Sequence, residues 1–342
     1  MMCKKLRLTS LSLLLSLPIT HSQAQQIYDS LAAKPDGLIR FNSVTPANRY
    51  QLAHRTYPPT PTVIWGTLSL PSSKAPYPAM VIAHGSAGVQ KKDAQRWVPL
   101  LNGMGIATFQ VDSFKPRNID RTDEDQSQLD QSANDADALA ALRLLATDPR
   151  IDPKRIGVMG FSRGGIVALE TAVNRFRAGV IDGDLRFAAH IAFYPGCGLR
   201  YWRTPSPMTG APIMMALGEK DDYVPAKPCL DYAQTMQQAG QDVEVHVYKD
   251  AYHDFDNTVQ YLKHSDRTET GKHCAEREID PVSWQYKFVD SGETFRDYKA
   301  FAAKLGNCVT RGDVTTGSNP VAAKESEGDV RAFLQRVFKL ER

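Results

Sequence analysis

Short apolar runs alternate with stretches of helical spacing along most of this chain. Residues 62–69 (TVIWGTLS) predict an early strand, closed by Pro71. Ala79–Ala83 is a continuous apolar run, as expected of a strand buried on both faces. Ile106–Val111 predicts the next strand. Residues 132–147 predict a helix, with Ala138, Leu139, Leu142 and Leu145 on one side. Ile156–Gly160 is a short strand followed at once by a helical stretch through Ile166, Ala168, Leu169 and Ala172. Phe187–Tyr194 and Ile213–Leu217 predict two further buried strands, and 228–238 a helix. Val243, Val245 and Val247 then alternate with Glu244 and His246, a strand with one wetter face. The last helix carries Val330, Phe333, Leu334, Val337 and Phe338 at i, i+3, i+4, i+7 and i+8. This alternation predicts an α/β fold: a mostly parallel twisted sheet with helices on both faces.

Two stretches break the rhythm. Residues 112–131 are polar and hold Asp120, Asp123, Glu124, Asp125 and Asp130, which reads as a surface loop. Residues 256–320 are long, polar and weakly periodic. A structureless loop of that length is unusual in a compact domain. Cys274 and Cys308 lie inside it, and a bridge between them supplies the missing constraint.

Of the 342 residues, 42% are apolar, ample for a buried core and too apolar for a disordered chain. The net charge is +3, and Lys4, Lys5 and Arg7 account for all of the excess, with no acid before Asp29. The remainder is balanced, which argues against a nucleic-acid binder. The basic start, the apolar stretch Leu6–Ile19 and the small residues Ser22 and Ala24 read as a secretory signal over 1–24, cleaved before Gln25. Its apolar part is shorter than the roughly 20 residues of a membrane span, and no later segment is long and apolar enough. We therefore expect export to the periplasm or the medium, no membrane span in the mature chain, and one domain over 25–342 with an insertion at about 256–320. Without Cys3, four cysteines remain: Cys197, Cys229, Cys274 and Cys308. An exported chain permits disulfides, and four cysteines allow three connectivities.

The strongest chemical signal is Gly160-Phe161-Ser162-Arg163-Gly164-Gly165, which follows a predicted strand and opens a predicted helix. That is the context of a nucleophile elbow, where glycines flank a turn sharp enough to expose the serine hydroxyl. A helix-capping serine is the plainer alternative. A serine hydroxyl needs a base, and the base an orienting acid. In this architecture the order is Ser, acid, His. Of eight histidines, His253 alone follows the last strand directly, in AYHDFD (251–256). His190 reads as a core residue, and His84 as a brace for its turn. The acid belongs after Ile213–Leu217, where Asp221 is preferred over Asp222 and Glu219. His84-Gly85-Ser86-Ala87-Gly88 follows the strand Ala79–Ala83. A glycine turn there aims a backbone N–H at a substrate oxyanion, with the Arg163 N–H as the second donor. Ser86 is the preferred first donor and Ala87 the alternative. Arg163 and Arg117 read as structural ion pairs, with a substrate carboxylate as the other possible partner.

Together, HGSAG (84–88), VDSFKPR (111–117), GFSRGG (160–165), GEKDDYVPAKPC (218–229) and AYHDFD (251–256) resemble the dienelactone hydrolase-like family of α/β-hydrolases. The resemblance implies one α/β-hydrolase domain, no metal, no organic cofactor, and a triad at Ser162, Asp221 and His253. The namesake enzymes use a cysteine nucleophile where this chain has Ser162. The same topology places Cys197 and Cys229 just past neighbouring strands on the face of the catalytic loops, which favours the bridge Cys197–Cys229 beside Cys274–Cys308. The expected function is hydrolysis of small-molecule carboxylic esters or lactones through an acyl-enzyme. A peptidase of the same fold and a non-catalytic binding protein are the rivals.

Overall fold

The computed structural model describes residues 26–203 and 206–340. The expected signal segment, 1–24, lies outside the described residues. Period-two alternation in the buried strands builds a core on each side of one sheet. Its strands are β1 (Gly37–Ser43), β2 (Thr62–Ser69), β3 (Tyr77–Ala83), β4 (Ala107–Asp112), β5 (Ile151–Phe161) and β6 (His190–Phe193). After the short β7 (Leu199–Tyr201), which leaves for another sheet, come β8 (Ile213–Gly218) and β9 (Val243–Tyr248). The order is β1-β2-β4-β3-β5-β6-β8-β9. β1, β2 and β4 are joined antiparallel, and every other neighbouring pair is parallel. This is the α/β-hydrolase arrangement. The chain steps outward from β3 to β4 and then returns to place β5 on the other side of β3. The carboxyl ends of β3 and β5 therefore flank a crevice at a topological switch point.

Eight helices surround the sheet and its insertion among the described residues: α1 (Arg49–His54), α2 (Val98–Gly103), α3 (Gln131–Leu145), α4 (Arg163–Glu170), α5 (Asn174–Val180), α6 (Ala226–Gln238), α7 (Tyr298–Leu305) and α8 (Pro320–Phe338). Val81, Val158 and Met215 share one core with Leu139 of α3, Val167 of α4 and Tyr232 of α6. Met80, Met159 and Met214 share the other with Leu101 of α2 and with Phe333 and Leu334 of α8. No helix among the described residues is long and apolar enough to cross a membrane.

Three features differ from the sequence reading. β1 and α1 precede the first predicted strand, although Ile39 and Phe41 alternate inward in β1. Residues 112–131 form a loop only partly at the surface. Phe114 and Thr122 are fully buried, Leu129 nearly so, and Arg117 forms an ion pair with the buried Asp137 at 2.7 Å. Its acids mislead because they are used locally; Asp130, for instance, caps α3 by accepting from Ser132 N–H. Third, the 256–320 insertion is built of short strands. β10 (Leu262–Ser265) pairs with β16 (Val314–Gly317), and β11 (Glu269–Thr270) with β15 (Thr310–Arg311). β12 (Arg277–Ile279), β13 (Tyr286–Phe288) and β14 (Thr294–Phe295) form an antiparallel set that docks on β7. Each strand is too short for periodicity to register. Ile279, Tyr286, Phe288 and Phe301 bury the insertion's apolar side, and a Cys274–Cys308 disulfide crosses it.

His190 lies fully buried in β6, its Nδ1 2.8 Å from the Ala168 carbonyl. Burial lowers its pKa from 6.5 to about 4. Between those values the unfolded chain holds a proton that the folded one does not, so stability falls as pH drops through the window and is untouched above it. We expect the unfolding free energy of the wild type, relative to His190→Gln, to fall by up to about 1.4 kcal/mol per pH unit on acidification below pH 6.5. Urea titrations across that range check this, and a pH-independent difference contradicts it.

Candidate active site

Close approach of three strands and a helix shapes the turn after β5. A Cβ on Gly160 would lie 1.9 Å from Gly164 O, one on Gly164 2.0 Å from Ala83 O, and one on Gly165 2.7 Å from Phe193 O. Only hydrogen fits at these positions. Ser162 between them adopts φ 55° and ψ −111°, a conformation L-residues resist. Its N–H donates to Phe193 O at 2.9 Å, which ties the turn to β6.

The turn after β3 packs against this elbow. A Cβ on Gly85 would meet Phe161 O at 3.1 Å and Ser162 Cβ at 3.5 Å. His84 braces it: Nδ1 lies 2.8 Å from Gly85 O, and Nε2 accepts from Ser113 N–H at 3.1 Å. That pairing makes Nδ1 the protonated nitrogen, and burial lowers the pKa of the ring. Thr122 N–H donates to Ser86 O, whereas neither the Ser86 N–H nor the Arg163 N–H donates to a protein acceptor among the described residues. Arg163 opens α4, where first-turn N–H groups have no intrahelical partner.

Beyond β8, the Asp221 carboxylate is fully engaged. Oδ1 accepts from the N–H groups of Tyr223 and Val224 at 3.0 and 2.9 Å, and Oδ2 lies 2.8 Å from His253 Nδ1. Both side chains are at least 95% buried. The alternatives work elsewhere. Asp222 holds Thr315 of β16 by its backbone N–H and hydroxyl, and Glu219 accepts from Asp250 N–H. The imidazole of His253 sits between the rings of Tyr194 and Tyr223, centroids 4.6 and 4.7 Å away. With Nδ1 donating to Asp221, Nε2 is the acceptor nitrogen. No hydrogen bond joins Ser162 Oγ to His253 among the described residues; contacts of this kind commonly tighten on substrate binding.

Several supporting residues carried no signal in the sequence. Gln126, in the 112–131 segment, joins both oxyanion candidates through their side chains: its amide lies 3.0 Å from Ser86 Oγ, and its Oε1 accepts from Arg163 Nη1 at 3.0 Å. Its N–H donates to Glu269 of the insertion at 2.7 Å. Lys92 is buried among Asp254, Asp256 and the Tyr194 hydroxyl, and Trp97 Nε1 donates to Asp256 at 2.7 Å. Burial disfavours the Lys92 ammonium, but the carboxylates of Asp256, Asp254 and Asp93 outweigh it and raise its pKa. This cluster fixes the segment that carries His253. Arg163 is not the expected ion pair. Its guanidinium donates to Asn134 Oδ1 and Gln126 Oε1 and to the Leu129 carbonyl, and burial beside Arg49 lowers its pKa to about 10. Cys197, just past β6, is bonded to Cys229 of α6, the helix that follows the Asp221 loop.

A cavity of ≈ 950 Å³ opens at Ser162, lined by Ser86, Gln126, Arg163 and Tyr223 and by insertion residues from Glu269 to Arg277. Among the described residues no group of three or more His, Cys, Asp or Glu is placed to hold a metal ion.

Residues 64–278 match the dienelactone hydrolase family. The chain belongs to this family. The matched span covers β3 to β9, the elbow, Asp221 and His253, and ends at the start of the insertion's three-stranded set. No curated protein matches the chain. Similar solved structures include esterase Est2 of the planctomycete Thermogutta terrifontis. Its propionate-bound form is 19% identical, over 57% of this chain and 81% of that one, with a TM-score of 0.45. The native form is 19% identical over 57% and 79%, also at 0.45. The esterase phosphorylated by paraoxon is 20% identical over 57% and 80%, again at 0.45.

The glycine clearances in this dienelactone hydrolase family member have a direct consequence. Gly164→Ala places a methyl 2.0 Å from Ala83 O, a backbone atom that cannot rotate away. We expect a loss of about 1–3 kcal/mol in unfolding free energy, read by urea denaturation. Unchanged stability would mean that α4 and β3 are not in the contact described.

Proposed function

We propose that the protein is an exported serine hydrolase that cleaves carboxylic esters or lactones through an acyl-enzyme. The observation that carries this reading is the buried 2.8 Å contact between His253 Nδ1 and Asp221, at the same sheet edge as the positive-φ turn of Ser162. Ser162 Oγ attacks the acyl carbon as its proton passes to His253 Nε2. Asp221 holds the ring in the Nδ1–H tautomer and stabilises the imidazolium that forms. The N–H groups of Ser86 and Arg163 take the oxyanion. Collapse of the tetrahedral intermediate breaks the acyl–oxygen bond, and His253 returns the proton to the leaving alcohol. In a lactone that alcohol stays tethered to the acyl chain. Water then attacks the acyl-enzyme, His253 accepts its proton, and the acid leaves with the Ser162 hydroxyl restored. The two disulfides support export, because such bonds persist in oxidising compartments. Residues 25–342 form, in this reading, one domain whose insertion at 256–320 shapes the pocket.

Hydrolysis of p-nitrophenyl acetate tests the assignment. Ser162→Ala should abolish turnover, and Asp221→Asn should lower kcat by roughly 10⁴-fold by disturbing the imidazole tautomer, with both variants folded by circular dichroism. Residual wild-type-like activity in folded Ser162→Ala would overturn the choice of nucleophile.

A further inference from the structure

The cavity at Ser162 adjoins a second one of ≈ 550 Å³, and Arg49, Asp130, Leu199 and Arg277 line both. Either volume is within the roughly 300–1,000 Å³ that encloses a drug-sized ligand. Five aromatic side chains line the second cavity. Tyr286 and Phe301 stack at 4.7 Å, Tyr298 is 64% exposed, and Tyr50 meets Trp284 edge-on at 5.2 Å. Three of its residues are arginines, and they differ in what holds them. Arg49 is committed: its Nε donates to both oxygens of the buried Glu170 at 2.8 and 2.9 Å. Arg277 donates to the Ala275 carbonyl at 3.3 Å, and no carboxylate pairs with it or with Arg296 among the described residues. Burial, with Arg49 alongside, lowers the pKa of Arg277, so its charge is under-compensated where it stands. Asp130, the acid of this lining, is occupied at the start of α3, where it accepts from Ser132 N–H and hydroxyl at 2.9 and 2.6 Å.

We infer that the second cavity is a subsite for one arm of the substrate, a planar aromatic ring bearing a carboxylate or similar anionic group. Rings of Tyr298, Tyr286 and Trp284 offer faces and edges for the planar part. The guanidinium of Arg277 offers the two-donor fork that a carboxylate takes. An uncharged alkyl arm would leave that partly buried cation without a partner, a cost that an anion removes. This inference rests on the hydrolase reading for the bond that is cut, but the subsite itself is a binding claim.

Binding is therefore measured apart from turnover. With Ser162→Ala protein, calorimetric titration should show 2-naphthoate binding at least about tenfold more tightly than the neutral isostere 2-naphthamide. Arg277→Gln, added to that protein, should remove the difference. Tyr298→Ala, at an exposed position, should weaken both ligands several-fold. Equal affinity for the two ligands, no binding of either, a difference that survives Arg277→Gln, or affinities unmoved by Tyr298→Ala would each overturn the inference. Wild-type hydrolysis of p-nitrophenyl acetate separates the two claims. Turnover without naphthoate binding overturns the subsite alone, and naphthoate binding without turnover overturns the hydrolase reading alone.

Discussion

The near-contact of backbone with backbone at the carboxyl ends of β3, β5 and β6 is the constraint on which the site depends. Gly160, Gly164 and Gly165 let α4 start against Ala83 and Phe193 with no side chain between. That closeness forces Ser162 into φ 55°. The conformation costs of order 1–3 kcal/mol, offset by the packing of the two cores around it. In return the hydroxyl projects from the turn, and the first N–H of α4 lies beside it with no acceptor. The turn after β3 is drawn to the same point through Gly85, so both candidate oxyanion donors follow from one packing arrangement.

The candidate base and acid are held by a different principle, the satisfaction of buried carboxylates by hydrogen bonds and ion pairs. The Nδ1–H of His253 donates to one oxygen of the Asp221 carboxylate, and the N–H groups of Tyr223 and Val224 satisfy the other. One residue further on, Asp254 is locked to Lys92, which also engages Asp256 and Tyr194. Removing Lys92 would leave buried carboxylates without a counter-charge, which is far costlier than the net value of the pairing. The insertion joins the site by the same means: Glu269 holds the N–H of Gln126, and Asp222 holds Thr315.

The sheet and the elbow were legible because long-range burial leaves a local mark. A run such as Ala79–Ala83 has to be apolar on both faces, and a glycine has to stand wherever backbone meets backbone. Asp221 as candidate acid was legible only by its place after β8; what sets it on His253 in place of Asp222, one residue away, is the direction of the side chain, which sequence does not encode. Gln126 left no mark, because a polar residue among acids looks alike whether it meets water or braces a site. The strands of the insertion, two to four residues each, are too short for alternation to show, and Arg277 becomes distinctive only when its missing counter-ion is seen.

The central claim is that the backbone around residue 162 delivers an activated hydroxyl to the pocket. Reaction of the folded wild-type protein with a fluorophosphonate, followed by intact-mass measurement and peptide mapping, tests it most directly. The account predicts one adduct per chain, located on Ser162 and lost when His253 is replaced by alanine. A folded protein that takes no label, or carries it on another residue, would contradict it.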